Sequence, residues 1–177
     1  VDPNIMNKIY NIYTYETGGT EEEYECTVFY EAVYDGNLEF AKILIENEKV
    51  DPNIKAKGWF KDYDNGYYNN YEKAPIYAAA QRCIIEEDDS LLKFLVKSDK
   101  IDINILNKVV EKHSLDYFQG DKMEEDSNDK HTVLHYAAND KNRFIKNHIK
   151  LIKFLMSNKN IKISILDNHG ERPIFYA

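Results

Sequence analysis

Apolar residues recur at helical spacing in three places: Ala41/Leu44/Ile45, Leu92/Leu95/Val96 and Ile152/Leu155/Met156. Each set follows i, i+3, i+4 and so lines one face of a helix. Four short segments alternate apolar and polar residues instead: Val1-Asp2-Pro3-Asn4-Ile5, Val50-Asp51-Pro52-Asn53-Ile54, Ile101-Asp102-Ile103-Asn104-Ile105 and Ile161-Lys162-Ile163-Ser164-Ile165. Two longer stretches read as β-hairpins. In the first, Ile9 to Tyr15 is strand-like, Gly18-Gly19 supplies a turn and Thr20 to Glu25 returns. In the second, Trp59 to Tyr63 and Tyr67 to Tyr71 flank Asp64-Asn65-Gly66, a strong hairpin signal. A third connection, Asn107 to Lys130, is the longest. It reads as a short helix from Val109 to His113, a turn over Asp116 to Gly120 and a solvated stretch from Glu124 to Lys130. A further segment, Asn139 to His148, is inserted before or within the second helix of the last helix pair.

Four segments share a set of columns: Thr27-Val28-Phe29-Tyr30-Glu31-Ala32, Ala74-Pro75-Ile76-Tyr77-Ala78-Ala79, Thr132-Val133-Leu134-His135-Tyr136-Ala137 and Arg172-Pro173-Ile174-Phe175-Tyr176-Ala177. Thr27 and Thr132 suit a helix entry, where the hydroxyl accepts a bond from an unpaired N–H of the first turn. Pro75 and Pro173 suit the next position, where the missing N–H costs nothing. The columns resemble the T-P-L-H-x-A signature of the ankyrin repeat. The resemblance implies a mainly α fold, a solenoid of helix-turn-helix units with long β-hairpin fingers. It implies one array, with 1–26 the end of a preceding repeat plus a finger, repeats at 27–73, 74–131 and 132–171, and a further repeat beginning at 172–177. The chain is then expected to be truncated at both ends. By the same resemblance His135 is a structural hydrogen-bonding residue, and the concave face made by fingers and first helices grips a protein partner.

The chain has 177 residues, is 43% hydrophobic and carries a net charge of −8. That balance disfavours a phosphate-backbone binder, which wants a basic face, and favours a basic protein partner. No apolar run is long enough to cross a bilayer. Cys26 and Cys83 form no CxxC pair and read as reduced thiols of an intracellular, cytoplasmic protein. Glu86-Glu87-Asp88-Asp89-Ser90 reads as acids ahead of a helix, with Asp89 or Ser90 as its cap. Arg143, Lys146, Lys150 and Lys153 form a basic stripe at helical steps, expected to be a solvated helix face.

No GxSxG, HExxH or phosphate-cradling loop is present, so no enzyme, cofactor or small-molecule ligand is expected. His131 and His135 stand at i, i+4, but His135 falls in the structural column, so no metal is expected there. Asp62 to Gly66 departs from a calcium loop in the placing of its Gly. What stands out is the density of aromatic residues in the expected fingers: Tyr24 and, as the candidates for contact, Tyr10, Tyr13, Tyr15, Trp59, Phe60, Tyr63, Tyr67, Tyr68, Tyr71, Tyr117 and Phe118. Such rings supply stiff contact area of the kind interfaces favour, and these are the candidate partner-binding residues. Two alternatives stand beside that expectation. The chain is a regulatory or targeting segment of a larger enzyme, or a structural spacer whose finger rings pack on one another.

Overall fold

The computed structural model describes residues 2–15, 18–64, 67–113, 124–139 and 145–176. Hairpins and helix pairs alternate along the chain. The order is β1 (Asn7–Tyr15), β2 (Gly18–Cys26), α1 (Val28–Tyr34), α2 (Leu38–Glu46), β3 (Ala56–Asp62), β4 (Tyr67–Lys73), α3 (Pro75–Ile85), α4 (Ser90–Leu95), β5 (Asn107–His113), β6 (Glu124–His131), α5 (Val133–Ala138) and α6 (Ile145–Met156). A 3-10 turn follows at Pro173–Tyr176.

The hairpins do not stand apart as fingers. All six strands join in one antiparallel sheet, in the order β1-β2-β3-β4-β5-β6. β2 pairs with β3 from Thr20↔Asp62 to Glu25↔Lys57. β4 pairs with β5 from Tyr67↔His113 to Glu72↔Lys108. This overturns the expectation of a mainly α ankyrin-repeat solenoid: the fold is mixed, with helices and a continuous antiparallel sheet as its two parts. The physical reason is strand length. Long hairpins held side by side leave edges with unpaired backbone groups, and neighbouring edges satisfy one another.

Three local expectations are corrected as well. Gly18 and Gly19 lie in β2, opposite Tyr15 and Thr14, rather than forming the turn. Val109 to His113 belongs to β5, not a helix, and Glu124 to Lys130 is β6, not a solvated loop. The turn expected at Asp64-Asn65-Gly66 lies partly, and that at Asp116 to Gly120 wholly, outside the described residues.

The helices start where the chain supplies acceptors. Thr27 Oγ1 accepts from the Tyr30 N–H at 3.2 Å, and Thr132 Oγ1 from the His135 N–H at 3.4 Å. α3 opens on Pro75 and has no side-chain cap of its own. Instead the Ala74 N–H donates to Oδ1 of the fully buried Asn107 at 2.7 Å, which ties the head of α3 to the root of β5. Between α1 and α2 the chain turns at Gly36, with φ +80°. The Arg82 guanidinium lies against that glycine and donates to the Tyr34 carbonyl at 3.0 Å. At α4 Asp89 stands at the N-cap, one of the two residues expected there, but its side chain makes no capping bond; instead Asp88 Oδ1 takes the Ser90 N–H at 3.0 Å and the Ser90 hydroxyl at 2.6 Å. These bonds hold the Asp88 carboxyl below its ordinary range. Asp89 is paired instead with Lys93 at 2.8 Å and Lys150 at 2.9 Å, so one member of the expected basic stripe bridges α6 to α4. Arg143 lies outside the described residues.

Successive units are tied by asparagines at equivalent places. Asn4 accepts from the Asp51 N–H and donates to the Lys49 carbonyl, both at 2.8 Å. Asn53 repeats this on Asp102 and Lys100, and Asn104 on Lys162 and Asn160. Each amide therefore uses one donor and one acceptor against the backbone of the next unit, which sets the spacing between units. Aspartates two places earlier, Asp2, Asp51 and Asp102, accept the N–H of these same asparagines and hold their turns. The apolar core runs without a break from the sheet root through the helices, from Tyr24 and Cys26 to Leu151 and Leu155. Among the described residues no helix is long and apolar enough to cross a membrane.

Candidate functional site

Residues opposite one another in an antiparallel ladder share a face, and successive residues alternate faces. The observed registers therefore sort the strands into an inner face, toward the helices, and an outer face with no element of the described chain packed on it.

The inner face is closed by packing. Tyr24, Gly58, Tyr71 and Val109 stand in one cross-strand row. Tyr24 and Tyr71 are 3% and 6% exposed. Gly58 has to be glycine, because an added Cβ would lie 2.5 Å from both Tyr24 Cβ and the Glu23 carbonyl. The Tyr71 hydroxyl donates to Glu22 Oε1 at 2.7 Å, and the Tyr24 hydroxyl to Glu31 Oε2 at 3.2 Å. The Cys26 thiol donates to that same Glu31 oxygen at 3.2 Å. Tyr34 leans on this group, its ring 5.8 Å from Tyr24 and 6.1 Å from Tyr30. Burial, reinforced by the neighbouring carboxylates, pushes the Tyr24 and Tyr71 hydroxyls and the Cys26 thiol well above their ordinary values. They are protonated, structural groups. Cys26 and Cys83 are both free and buried.

The outer face is built differently. Its row nearest the helices runs Lys8, Glu25, Lys57, Glu72, Lys108, each opposite the next, so that charge alternates in sign across five strands. The next row holds Tyr10, Glu23, Trp59 and Asn70. Beyond it stand Ile12, Glu21, Lys61 and Tyr68. Trp59 is the centre: its ring is 6.4 Å from Tyr10, edge on, and 6.3 Å from Tyr68, stacked. Tyr10 and Trp59 meet across β2 at the position of Glu23, whose Oε1 is 2.9 Å from the Lys8 ammonium. Tyr10 and Ile12 remain 52% and 51% exposed. A shallow depression of about 290 Å³ opens beside Trp59, walled by Lys57, Asn70, Glu72 and Lys108. This arrangement offers an aromatic stripe flanked by carboxylates and ammonium groups. It has no nucleophile–base pair, and among the described residues no group of three or more His, Cys, Asp or Glu is placed to hold a metal ion.

The sequence-selected aromatic residues thus divide. Tyr10, Trp59 and Tyr68 come together on the outer face. Phe60 and Tyr71 belong to the inner face, Phe60 partly buried against the core. Tyr63 follows β3; its N–H donates to the Gly19 carbonyl at 3.0 Å and the Lys61 ammonium sits 4.2 Å above its ring. Tyr13, Tyr15 and Tyr67 have strand backbone, with side chains outside the described residues, and Tyr117 and Phe118 lie outside them altogether. Sequence reasoning noted Tyr24 among the aromatic residues without assigning it a partner, and missed Glu22 and Glu31, which hold the inner face together, and Glu23, which stands between the outer rings. Strand alternation in Thr20 to Cys26 was the available signal, but carboxylates on both faces hid it.

His135 sits at the head of α5 with a defined tautomer. Its Nε2 faces the Glu171 carbonyl at 3.2 Å, which can only accept, so Nε2 carries the proton. Nδ1 then accepts, from the Thr132 N–H at 3.2 Å and the Thr132 hydroxyl at 2.8 Å. His131 faces the Tyr77 hydroxyl at 2.8 Å, away from that bond set. Pro173 is buried and opens the 3-10 turn. No family model, no curated protein and no solved structure matches the chain.

Proposed function

We propose that the chain is a non-catalytic protein-binding module and that the outer face of its sheet is the recognition surface. The observation that carries this reading is the Tyr10–Trp59–Tyr68 ring contact on a face over which no described element packs. Large aromatic side chains in mutual contact arrive already ordered, so a partner that covers them loses little conformational freedom from this side. Glu21, Glu23 and Glu25 point the same way along β2, and with the net charge of −8 they favour a partner with a basic surface. A spacer reading is favoured by one observation, that Tyr24 and Tyr71 are consumed by packing. It does not account for the Tyr10 ring, which is 52% exposed.

The test is affinity capture from the source cell's extract, with the chain and its Trp59→Ser/Tyr68→Ser variant as paired baits, both checked for fold by circular dichroism. The module reading expects a partner held by the first bait and lost by the second. Identical retention by both baits, or no partner for either, would remove the outer face as a recognition surface.

A further inference from the structure

The depression beside Trp59 lies over β3, β4 and β5, each of which is paired on both sides, so its walls are internal to the sheet. Trp59 and Asn70 stand in one cross-strand row, and Lys57, Glu72 and Lys108 in the row nearer the helices. Tyr68 stands in the row beyond and fixes two of these groups at once. Its ring stacks on the indole at 6.3 Å, and its hydroxyl donates to Asn70 Oδ1 at 3.0 Å. The Asn70 acceptor is thereby used, and its amide N–H groups are left to serve a ligand. Tyr68 is not among the residues that wall the depression, so it braces the indole without filling that space.

The charges of the depression choose its ligand. Glu72 stands opposite Lys57 on one side and Lys108 on the other, yet among the described residues no ion pair joins any two of the three. An anion drawn to either ammonium comes within one strand spacing of Glu72, about 4.8 Å. A cation drawn to Glu72 is flanked by both ammonium groups. An uncharged hydroxyl escapes both conflicts, because it accepts from an ammonium or an amide and donates to a carboxylate. Several hydroxyls on one ring therefore satisfy Lys57, Asn70, Lys108 and Glu72 together. The indole adds a second requirement, an apolar face to lie against it. A pyranose with equatorial hydroxyls meets both, with hydroxyls around its rim and C–H bonds on its flat faces. A volume of about 290 Å³ has room for one such ring.

We propose that this depression is a carbohydrate subsite, taking one gluco-configured pyranose unit flat against Trp59. Lys57, Asn70 and Lys108 donate to its hydroxyls and Glu72 accepts from one of them. Tyr68 is the positioning residue for both the indole and the amide. The proposal goes beyond the protein-partner reading and does not rest on it. Sugar binding is read on the purified chain alone, whereas that reading stands or falls on capture.

Trp59 is the chain's only tryptophan, so its fluorescence reports the site directly. Titration with cellotetraose is expected to shift the Trp59 emission and saturate with a Kd of about 1 mM, the weak affinity of one stacked ring and a few hydrogen bonds at an open site. Mannitol carries the hydroxyls without a ring, and inorganic phosphate tests the ammonium groups alone. Both are expected to leave the emission unchanged at the same concentration. Glu72→Ala is expected to weaken cellotetraose binding roughly tenfold or more, the loss of a bond to a charged acceptor. Tyr68→Phe keeps the ring but releases Asn70, and is expected to weaken it roughly threefold. Both variants are expected to keep the parent's circular dichroism spectrum. No saturable shift with cellotetraose, an equal shift with mannitol or phosphate, or either variant binding as tightly as the parent would each overturn the proposal.

Discussion

The two faces of the sheet use the same residue types for opposite ends. On the inner face tyrosines are buried, donate to carboxylates and close over a glycine that leaves them room. On the outer face tyrosine and tryptophan rings touch one another between alternating charges, Tyr10 exposed and Trp59 and Tyr68 half-buried. Aromatic density along a strand therefore reports neither packing nor recognition until the register assigns each ring to a face. In this chain the register sends Tyr24 and Tyr71 inward and Tyr10, Trp59 and Tyr68 outward.

The contrast is most strongly tested by truncating one ring on each face. Tyr71→Ala removes a buried ring and its bond to Glu22, and is expected to cost about 3–5 kcal/mol in urea unfolding, as for other large aromatic truncations in cores. Gly58→Ala comes next. Its Cβ has no space beside Tyr24, and overpacking of this kind is expected to cost about 1–3 kcal/mol by the same assay.

A third effect is confined to alkaline solution. The folded values of Tyr24, Tyr30 and Tyr71 are raised, by burial first, above tyrosine's ordinary 10.0, and that of Cys26 above the thiol's 9.0. The folded state holds these groups protonated, while the unfolded chain ionises at the ordinary values. Their contribution is thus fully present below pH 9 and declines as the pH rises past 9 and then past 10.0. Thermal melts across that range should show the loss, and Tyr71→Phe should make it shallower. Smallest of all is the outer-face change. Trp59→Ser disturbs two cross-strand ring contacts and is expected to cost about 1 kcal/mol or less in stability, while abolishing partner capture.

Much of the local structure was legible. Asp64-Asn65-Gly66 announced the β3–β4 hairpin, and Thr27 and Thr132 marked the helix starts they cap. The lateral pairing of β2 with β3 and β4 with β5 was not, because it joins residues separated by a whole helix pair and leaves no periodic trace. That omission made the chain look mainly α. It also hid β5: Val109-Val110-Glu111-Lys112-His113 can serve a helix or a strand, and the neighbouring edge of β4 decides between them. The candidate site was half legible. Composition located the aromatic residues but did not divide them, since the division depends on which residue stands opposite Gly58.

Hydroxyl-radical footprinting of the folded chain, read residue by residue by mass spectrometry, tests this division most directly. Tyr10 and Trp59 should be oxidised early, and Tyr24, Tyr30 and Tyr71 should be spared until the chain is unfolded in denaturant. Oxidation of Tyr24 or Tyr71 at the rate of Tyr10, in a protein still folded by circular dichroism, would contradict the two-faced sheet.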